Sequence, residues 1–191
     1  MSLTRSALFW AIIVAAALTV PVSRDAWSAD KKYGPGVTDT EIKIGQTIAY
    51  SGPALSFGTT GHTIAAYYRM INDRGGVNGR KINFISVDDG YSPPKTVEHT
   101  RRLVEQDQVL AIIGSLGSPT NASVQRYLND RKAPQLFLFT GGARFRDPQT
   151  YPWTMAGDLS FVNETRAFAR FVIEDNPDAK IGILYQNDDL W

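Results

Sequence analysis

Hydroxyl and carboxylate side chains carry most of the chemistry that this 191-residue sequence offers. It contains no cysteine and two histidines, His62 and His99, which excludes thiol nucleophiles, disulfides, iron–sulfur clusters and a histidine-rich metal site. The motifs G-x-S-x-G, G-x-x-x-x-G-K-[ST] and H-E-x-x-H do not occur, which removes a serine-hydrolase elbow, a phosphate loop and a zinc-protease helix. Neither a cofactor nor a metal is therefore expected.

Two adjacent carboxylates, Asp88 and Asp89, stand at the predicted end of a strand. Such a pair could bind a cation or act as acid and base, but neighbouring side chains on a strand point in opposite directions. The two carboxylates are therefore predicted to shape a turn and to cap the next segment of the chain. His62 and His99 fall within predicted helices, where a surface or boundary position is favoured over a general base.

The residues best suited to binding a small molecule lie in loops. Ser118 begins a predicted helix, with proline in the first turn, so its hydroxyl can cap that helix or meet an anionic ligand group beside free backbone N–H groups. Thr140-Gly141-Gly142-Ala143 follows a predicted strand with small residues that let a ligand reach the main chain. Phe57 lies in a glycine-flanked loop, where it could either pack internally or form a pocket wall.

Strands and helices alternate along the chain and would position these loops. Strands are predicted over 41–48, 81–88, 109–113, 135–139 and 181–185, with a short one at 153–155. Helices are predicted over 60–74, 93–106, from Ser118 onward, and over 159–175. This alternation is typical of an α/β fold with a parallel sheet, in which ligands bind outside the carboxyl ends of the strands.

Charge and the N-terminal segment limit the partners and the compartment. The formal net charge of +1 offers no basic footprint for nucleic acid. Arg5 precedes an uncharged apolar run over residues 7–20, shorter than the roughly 20 residues that span a membrane. With small residues at 26, 28 and 29, this pattern predicts a secretory signal peptide over 1–28, cleaved after Ser28 or else after Ala29, with an uncleaved anchor as the alternative. An exported chain without cysteine fits a bacterial periplasm.

A family resemblance rests on motifs in a fixed order between about Gly36 and Leu190. These motifs are Ile44-Gly45-Gln46-Thr47 with Ser51-Gly52-Pro53, then Ile71-Asn72-Asp73-Arg74-Gly75-Gly76-Val77-Asn78-Gly79-Arg80-Lys81-Ile82, Asp88-Asp89-Gly90-Tyr91-Ser92-Pro93, Ile113-Gly114-Ser115, and Thr140-Gly141-Gly142-Ala143 with Asp147-Pro148. The chain resembles the branched-chain amino acid (leucine/isoleucine/valine) binding proteins of ABC transporters, which have the type I periplasmic binding fold.

The resemblance implies roles for particular residues. Phe57 matches an aromatic residue that packs on the ligand, Ser118 a hydroxyl that receives the ligand carboxylate, and Gly141 a main-chain carbonyl that meets an ammonium group. Ala143 stands where leucine-type binders carry threonine, so one hydroxyl contact is missing and hydrophobic or aromatic acids become candidate ligands beside amino acids. Leu190 falls where those binders place an aromatic residue of the second lobe.

The resemblance also implies the domain organisation and the partners. Two Rossmann-like α/β lobes would close over a small solute, without catalysis, and deliver it to the permease and ATPase subunits of an importer. A lead-in over 29–40 would precede a first, incomplete lobe over 41–155 and the start of a second lobe over 156–191. Since such proteins are considerably longer, a C-terminally truncated binding protein is expected. The alternatives are a fragment with no function of its own and a periplasmic α/β enzyme.

Overall fold

A computed structural model describes residues 32–186 and forms strands and helices in alternation. The strands are β1 Glu41–Ile48, β2 Lys81–Asp88, β3 Ala111–Ile113, β4 Gln135–Leu138 and β5 Thr154–Ala156. The helices are α1 Gly58–Asp73, α2 Pro93–Glu105, α3 Ser118–Asp130 and α4 Phe161–Asp175, and short 3-10 helices cover Leu55–Phe57 and Ala143–Arg146. The predicted signal peptide and Leu190 lie outside the described residues.

The five strands form one parallel sheet in the order β2-β1-β3-β4-β5, which confirms the predicted α/β class. Strands β1 and β2 pair along their whole length, from Glu41 opposite Lys81 to Ile48 opposite Asp88. The chain leaves β1 towards β2 on one side and leaves β3 towards β4 on the other. The switch point of the sheet therefore lies between β1 and β3, where α/β proteins bind ligands.

Two groups of buried side chains hold the helices on this sheet. The larger group joins helices α2 and α3 to strand β3 and consists of Leu103, Val109, Ile112, Val124 and Leu128. The smaller group lies at the carboxyl ends of β1 and β3 and consists of Ile48, Ala49 and Leu116. Tyr50, Ala54, Tyr91 and Phe139 pack against the smaller group, so the loops at this edge rest on apolar side chains.

The predicted last strand at 181–185 is wrong, because these residues have no regular structure. Ile183 and Leu184 are 78% and 102% exposed. An apolar run becomes a strand only when its backbone groups pair with a neighbour, and no strand within residues 32–186 pairs with this segment. The other predicted elements are confirmed, with ends that differ by one or two residues at most positions.

Helix α4 is joined to the sheet mainly through its first residue. The Phe161 N–H donates to the Gly141 carbonyl at 2.9 Å, which fixes the helix beside the loop that follows β4. Farther along, Phe168 and Phe171 are 63% and 68% exposed. None of the helices within residues 32–186 combines the length and the apolar character needed to cross a membrane.

Candidate ligand-binding site

A cavity of about 500 Å³ opens at the carboxyl edge of the sheet, over the switch point between β1 and β3. Its walls come from the loops that follow β1, β2, β3, β4 and β5, from the starts of α3 and α4, and from the segment after α4. The lining residues are Pro53, Ala54, Phe57, Tyr91, Leu116, Gly117, Ser118, Phe139, Thr140, Asp158, Phe161 and Gln186. The cavity thus lies where the parallel-sheet rule placed a ligand.

A pair of hydroxyls forms the polar part of the cavity. Ser118 Oγ and Thr140 Oγ1 are 2.6 Å apart, and Ser118 is only 5% exposed. The Gly142 N–H also donates to Thr140 Oγ1, at 3.2 Å. One of the two hydroxyl hydrogens forms the bond between the pair. The other hydrogen is available to a ligand oxygen.

Of the two roles left open for the Ser118 hydroxyl, capping the helix is not the one that the structure shows. The N-cap of α3 is Gly117, with φ of 94°, and no side chain caps the helix. Ser118 is already in the first helical turn, so its hydroxyl extends across to Thr140 rather than back to the helix. The first N–H groups of a helix lack intrahelical partners and carry partial positive charge. The hydroxyl pair therefore lies beside a local positive potential, which favours an anionic group.

Aromatic rings form most of the apolar wall. The rings of Phe57 and Phe139 meet edge to face, with centroids 5.8 Å apart and an interplanar angle of 74°. Phe57 is 47% exposed and lines the cavity, so part of its side chain is accessible to a ligand. Tyr91 and Phe161 add two further rings to the lining. Rings in such an arrangement bind flat or branched apolar groups without requiring a hydrogen bond.

Glycine at position 117 makes room for Tyr91. A Cβ atom there would lie 2.4 Å from Tyr91 Cε2, and the φ of 94° disfavours any L side chain. The Tyr91 hydroxyl in turn donates to Gln186 Oε1 at 3.3 Å. The close approach of the two loops therefore depends on the missing side chain.

The adjacent aspartates shape the turn beside the cavity, as predicted, but the predicted capping of the next segment is wrong, because no side chain caps helix α2. Asp88 accepts bonds from the N–H groups of Tyr50, Ser51 and Gly90 and from the Ser51 hydroxyl. The Ser51 hydroxyl, more than the N–H groups of Gly90, Tyr50 and Ser51, lowers the pKa of Asp88 below its ordinary value.

Asp89 forms its hydrogen bonds within the segment that follows β2. It accepts from the Tyr91 N–H at 2.9 Å and from the Thr96 hydroxyl at 2.8 Å, and it is buried. Burial raises the pKa of Asp89, while the bonds from Thr96 and Tyr91 oppose that rise. The two carboxylates bind different donors and do not converge on a common point, so they do not form an acid–base pair.

The structure brings two of the predicted site residues, Phe57 and Ser118, together in the cavity wall. Gly141 and Ala143 are not among the lining residues. The Gly141 carbonyl accepts the Phe161 N–H, and Ala143 is exposed at the start of a 3-10 helix. The ligand roles of all four remain predictions, and Leu190 lies outside the described residues.

Several lining residues have no counterpart among the predicted site residues. Thr140 begins the small-residue segment that the sequence already indicated after β4, whereas Tyr91 belongs to a loop that the carboxyl-edge rule selects without distinguishing this residue. Asp158 follows β5, and the same rule applied to that short strand would have found it. Partial burial raises the pKa of Asp158, opposed by Arg146, whose guanidinium donates to the Asp158 carbonyl. Gln186 begins the loop that the same rule selects after the predicted strand 181–185, although that strand does not form, and Phe161 reaches the cavity only through the tertiary fold.

Histidine, aspartate and glutamate side chains do not gather in threes at metal-binding distance anywhere in the described stretch 32–186. Arg and Lys side chains are also missing from the cavity lining. Hydroxyls, a helix N-terminus, one carboxyl group and aromatic rings are therefore the groups that a ligand would meet there.

Comparison with known proteins gives one family and several related structures. A family described as periplasmic binding protein matches residues 41–190. Over 77 residues the chain is 36% identical to an amino acid binding protein of Pseudomonas aeruginosa, an overlap of 39% of this chain and 20% of that protein.

Two solved structures are similar over most of the chain. A possible leucine/isoleucine/valine-binding protein from Rhodopirellula baltica SH 1 has 26% identity and a TM-score of 0.67, covering 77% of this chain and 38% of that one. A fatty acid ABC transporter substrate-binding protein from Thermomonospora curvata has 27% identity and a TM-score of 0.65, covering 78% of this chain and 37% of that one. The chain thus spans well under half the length of these relatives.

Proposed function

We propose that this chain, which belongs to the periplasmic binding protein family, captures a small carboxylate that carries an apolar group, without chemically changing it. The observation that carries the proposal is the hydroxyl pair of Ser118 and Thr140 at a helix start, facing a cavity lined by aromatic rings. One end of the cavity suits an anion and the rest suits hydrocarbon.

The polar end supports recognition of a carboxylate. Ser118 and Thr140 have one hydroxyl hydrogen to donate, and the N-terminus of α3 adds partial positive charge. A hydrogen bond to a charged group contributes roughly 1.5–3 kcal/mol. Asp158 also lines the cavity, and its carboxylate would accept a hydrogen bond from an ammonium group of an amino acid.

The apolar end supports a hydrophobic or aromatic substituent. The cavity volume of about 500 Å³ lies in the range typical of small-molecule sites, roughly 300–1,000 Å³. The similar proteins are named for amino acids, for leucine, isoleucine and valine, and for fatty acids. These ligands share a carboxylate and, in the named cases, an apolar chain. Because aromatic rings dominate the lining and one relative is named for fatty acids, aromatic and aliphatic acids are proposed beside amino acids.

The proposed compartment and partners follow from the family and from the leader sequence. A signal peptide over 1–28 would export the chain to the periplasm. There the binding protein would present its solute to the permease and ATPase subunits of an ABC importer. Residues 41–155 would belong to the first lobe and residues 156–191 to the second, so that α4 would start the second lobe.

A ligand panel tests the proposal. Thermal unfolding is followed with leucine, phenylalanine, benzoate and octanoate, each paired with its neutral amide as a matched control. A ligand that binds only the folded state at about 100 times its Kd adds about 2.7 kcal/mol, which corresponds to about 5–10 °C for a domain of this size. At least one acid should give a saturable shift that its amide does not.

Two results would contradict the proposal. One is a panel in which no acid raises the unfolding temperature, or in which each amide acts as well as its acid. The other is chemical conversion: mass spectrometry of the solute recovered after incubation should find it unchanged, and a product would favour the enzyme alternative.

A further inference from the structure

We propose that Asp88 is the positioning residue of the cavity: its carboxylate ties the loop that carries Phe57 to the loop that carries Tyr91 and so fixes the aromatic wall. The inference rests on the proposed function for the part that concerns a ligand. It adds a role for a residue that does not itself line the cavity.

The position of Asp88 in the sheet makes this role feasible. Asp88 is the last residue of β2 and pairs in register with Ile48, the last residue of β1. The loop after β1 and the loop after β2 therefore leave the sheet side by side at this point. A side chain here can reach the backbone of both loops.

The contacts of Asp88 divide between the two loops. From the loop after β1, the N–H groups of Tyr50 and Ser51 donate to Oδ1 at 2.8 and 3.1 Å, and the Ser51 hydroxyl donates to Oδ2 at 2.6 Å. From the loop after β2, the Gly90 N–H donates to Oδ1 at 2.9 Å. One carboxylate thus satisfies four donors that belong to two separate segments.

Short hydrogen-bonded turns connect these contacts to the aromatic wall. After Ser51, the Leu55 N–H donates to the Gly52 carbonyl and the Phe57 N–H to the Ala54 carbonyl. A Cβ atom added at Gly52 would lie 3.0 Å from the Gly90 carbonyl oxygen, so the two loops come close together one residue beyond the bonds to Asp88. Only a few residues separate the Ser51 bonds to Asp88 from the Phe57 ring. If the bonds at Ser51 are lost, Phe57 should therefore become mobile as well.

The segment after Gly90 is equally short. Tyr91 follows directly, in the left-handed region with φ of 61°, and its N–H donates to Asp89 Oδ1. Asp89 thus holds Tyr91 to its own loop, whereas Asp88 holds that loop to the neighbouring one. The lowered pKa of Asp88 agrees with a carboxylate that remains ionised among donors.

Charge and shape both matter at this position. Asparagine would keep one oxygen for the three N–H donors but would turn an NH2 group towards the Ser51 hydroxyl, which would then have to accept instead of donate. Alanine would leave all four donors to solvent. Asp88→Asn should therefore retain part of the restraint that Asp88→Ala removes.

Hydrogen exchange of the full chain, measured by NMR without any ligand, tests the restraint directly. Asp88→Ala should speed exchange at the amides of Ser51, Phe57, Gly90 and Tyr91 by about tenfold or more, and Asp88→Asn should have a smaller effect. Asp147→Ala is the matched control, because the Asp147 carboxylate also accepts two backbone N–H bonds in an exposed turn outside the cavity lining. It should leave both loops unchanged.

A double-mutant cycle with benzoate as the probe tests whether the restraint acts through Phe57. Asp88→Ala should weaken benzoate binding by about fivefold or more in the wild-type background and by less than about twofold in a Phe57→Ala background. A residue that only stabilises the fold would lower affinity equally in both backgrounds. If Asp88→Ala does not fold, Asp88→Asn takes its place in both measurements, with effects in the same direction.

The outcomes separate the two proposals. Unchanged exchange in either loop, or additive effects in the cycle, overturns the positioning role. If wild type binds neither benzoate nor any other acid of the panel, the proposed function fails, and exchange at the two loops alone decides whether Asp88 ties them together.

Discussion

Replacing Ser118 by alanine removes the hydroxyl on which the proposed carboxylate contact depends. The change is small in the empty protein, because the lost bond to Thr140 is one neutral hydrogen bond worth about 0.5–1.5 kcal/mol. For a domain of this size, that loss corresponds to a decrease of about 1–6 °C in unfolding temperature. Alanine suits the first turn of a helix, so α3 should remain intact.

The effect on ligand binding should be larger. A hydrogen bond to a carboxylate contributes about 1.5–3 kcal/mol, which corresponds to a roughly 10- to 150-fold increase in Kd. Isothermal titration of wild type and Ser118→Ala with benzoate and with leucine measures this ratio. A neutral analogue, benzamide, should lose much less affinity, because its oxygen carries no charge.

Ser123→Ala is the matched control on the same helix. The Ser123 hydroxyl is exposed and donates to the Thr120 carbonyl at 2.6 Å, away from the cavity. Its removal should change Kd by less than about twofold. The reasoning is refuted if Ser118→Ala lowers the unfolding temperature yet leaves the Kd of both acids within twofold of wild type.

Two further predictions concern stability. Gly117→Ala should lower the free energy of unfolding by more than about 1 kcal/mol and weaken acid binding, since the added Cβ would lie 2.4 Å from Tyr91. Urea unfolding measures the first effect and titration calorimetry the second. Gly34→Ala is the control, because a Cβ at Gly34 meets no atom within 4 Å and should leave stability nearly unchanged. Leu128→Ala, at a fully buried core position, should cost about 2–5 kcal/mol. Leu184→Ala, whose side chain is fully exposed, should leave the free energy of unfolding in urea nearly unchanged. An equal loss of stability in Leu128→Ala and Leu184→Ala would contradict the placement of Leu128 in the core.

Local sequence patterns were sufficient to predict most of the helices and strands. Strands β1 and β2 could be predicted to the residue, because each is an apolar-rich segment bounded by turn residues, and these signals lie within the segment itself. Helices α1 and α4 could be predicted from apolar residues at helical spacing, and α2 and α3 from proline in the first turn. The alternation of elements determined the parallel α/β class and thereby which strand ends border a ligand site.

The exact ends of the helices were harder to predict from the sequence. Ser118 and Pro119 have the residue types of a helix start, yet Gly117, with its positive φ, takes the cap position. Because the cap lies one residue earlier than the sequence suggests, the Ser118 hydroxyl lies beside Thr140 instead of bonding the end of the helix. Helix ends depend on backbone angles that several residue types can adopt, so their sequence signals are accurate only to a residue or two.

Contacts between distant segments were decided by the tertiary structure alone. The apolar run 181–185 has the composition of a strand, but pairing requires a neighbour that the run itself cannot specify. Ser118 and Thr140 are 22 residues apart in the chain, and Tyr91 and Gln186 are 95 apart. A sequence determines which segments are apolar or turn-forming, because those preferences act over a few residues. Which loops meet around a cavity depends on the strand order and on the packing of the whole sheet.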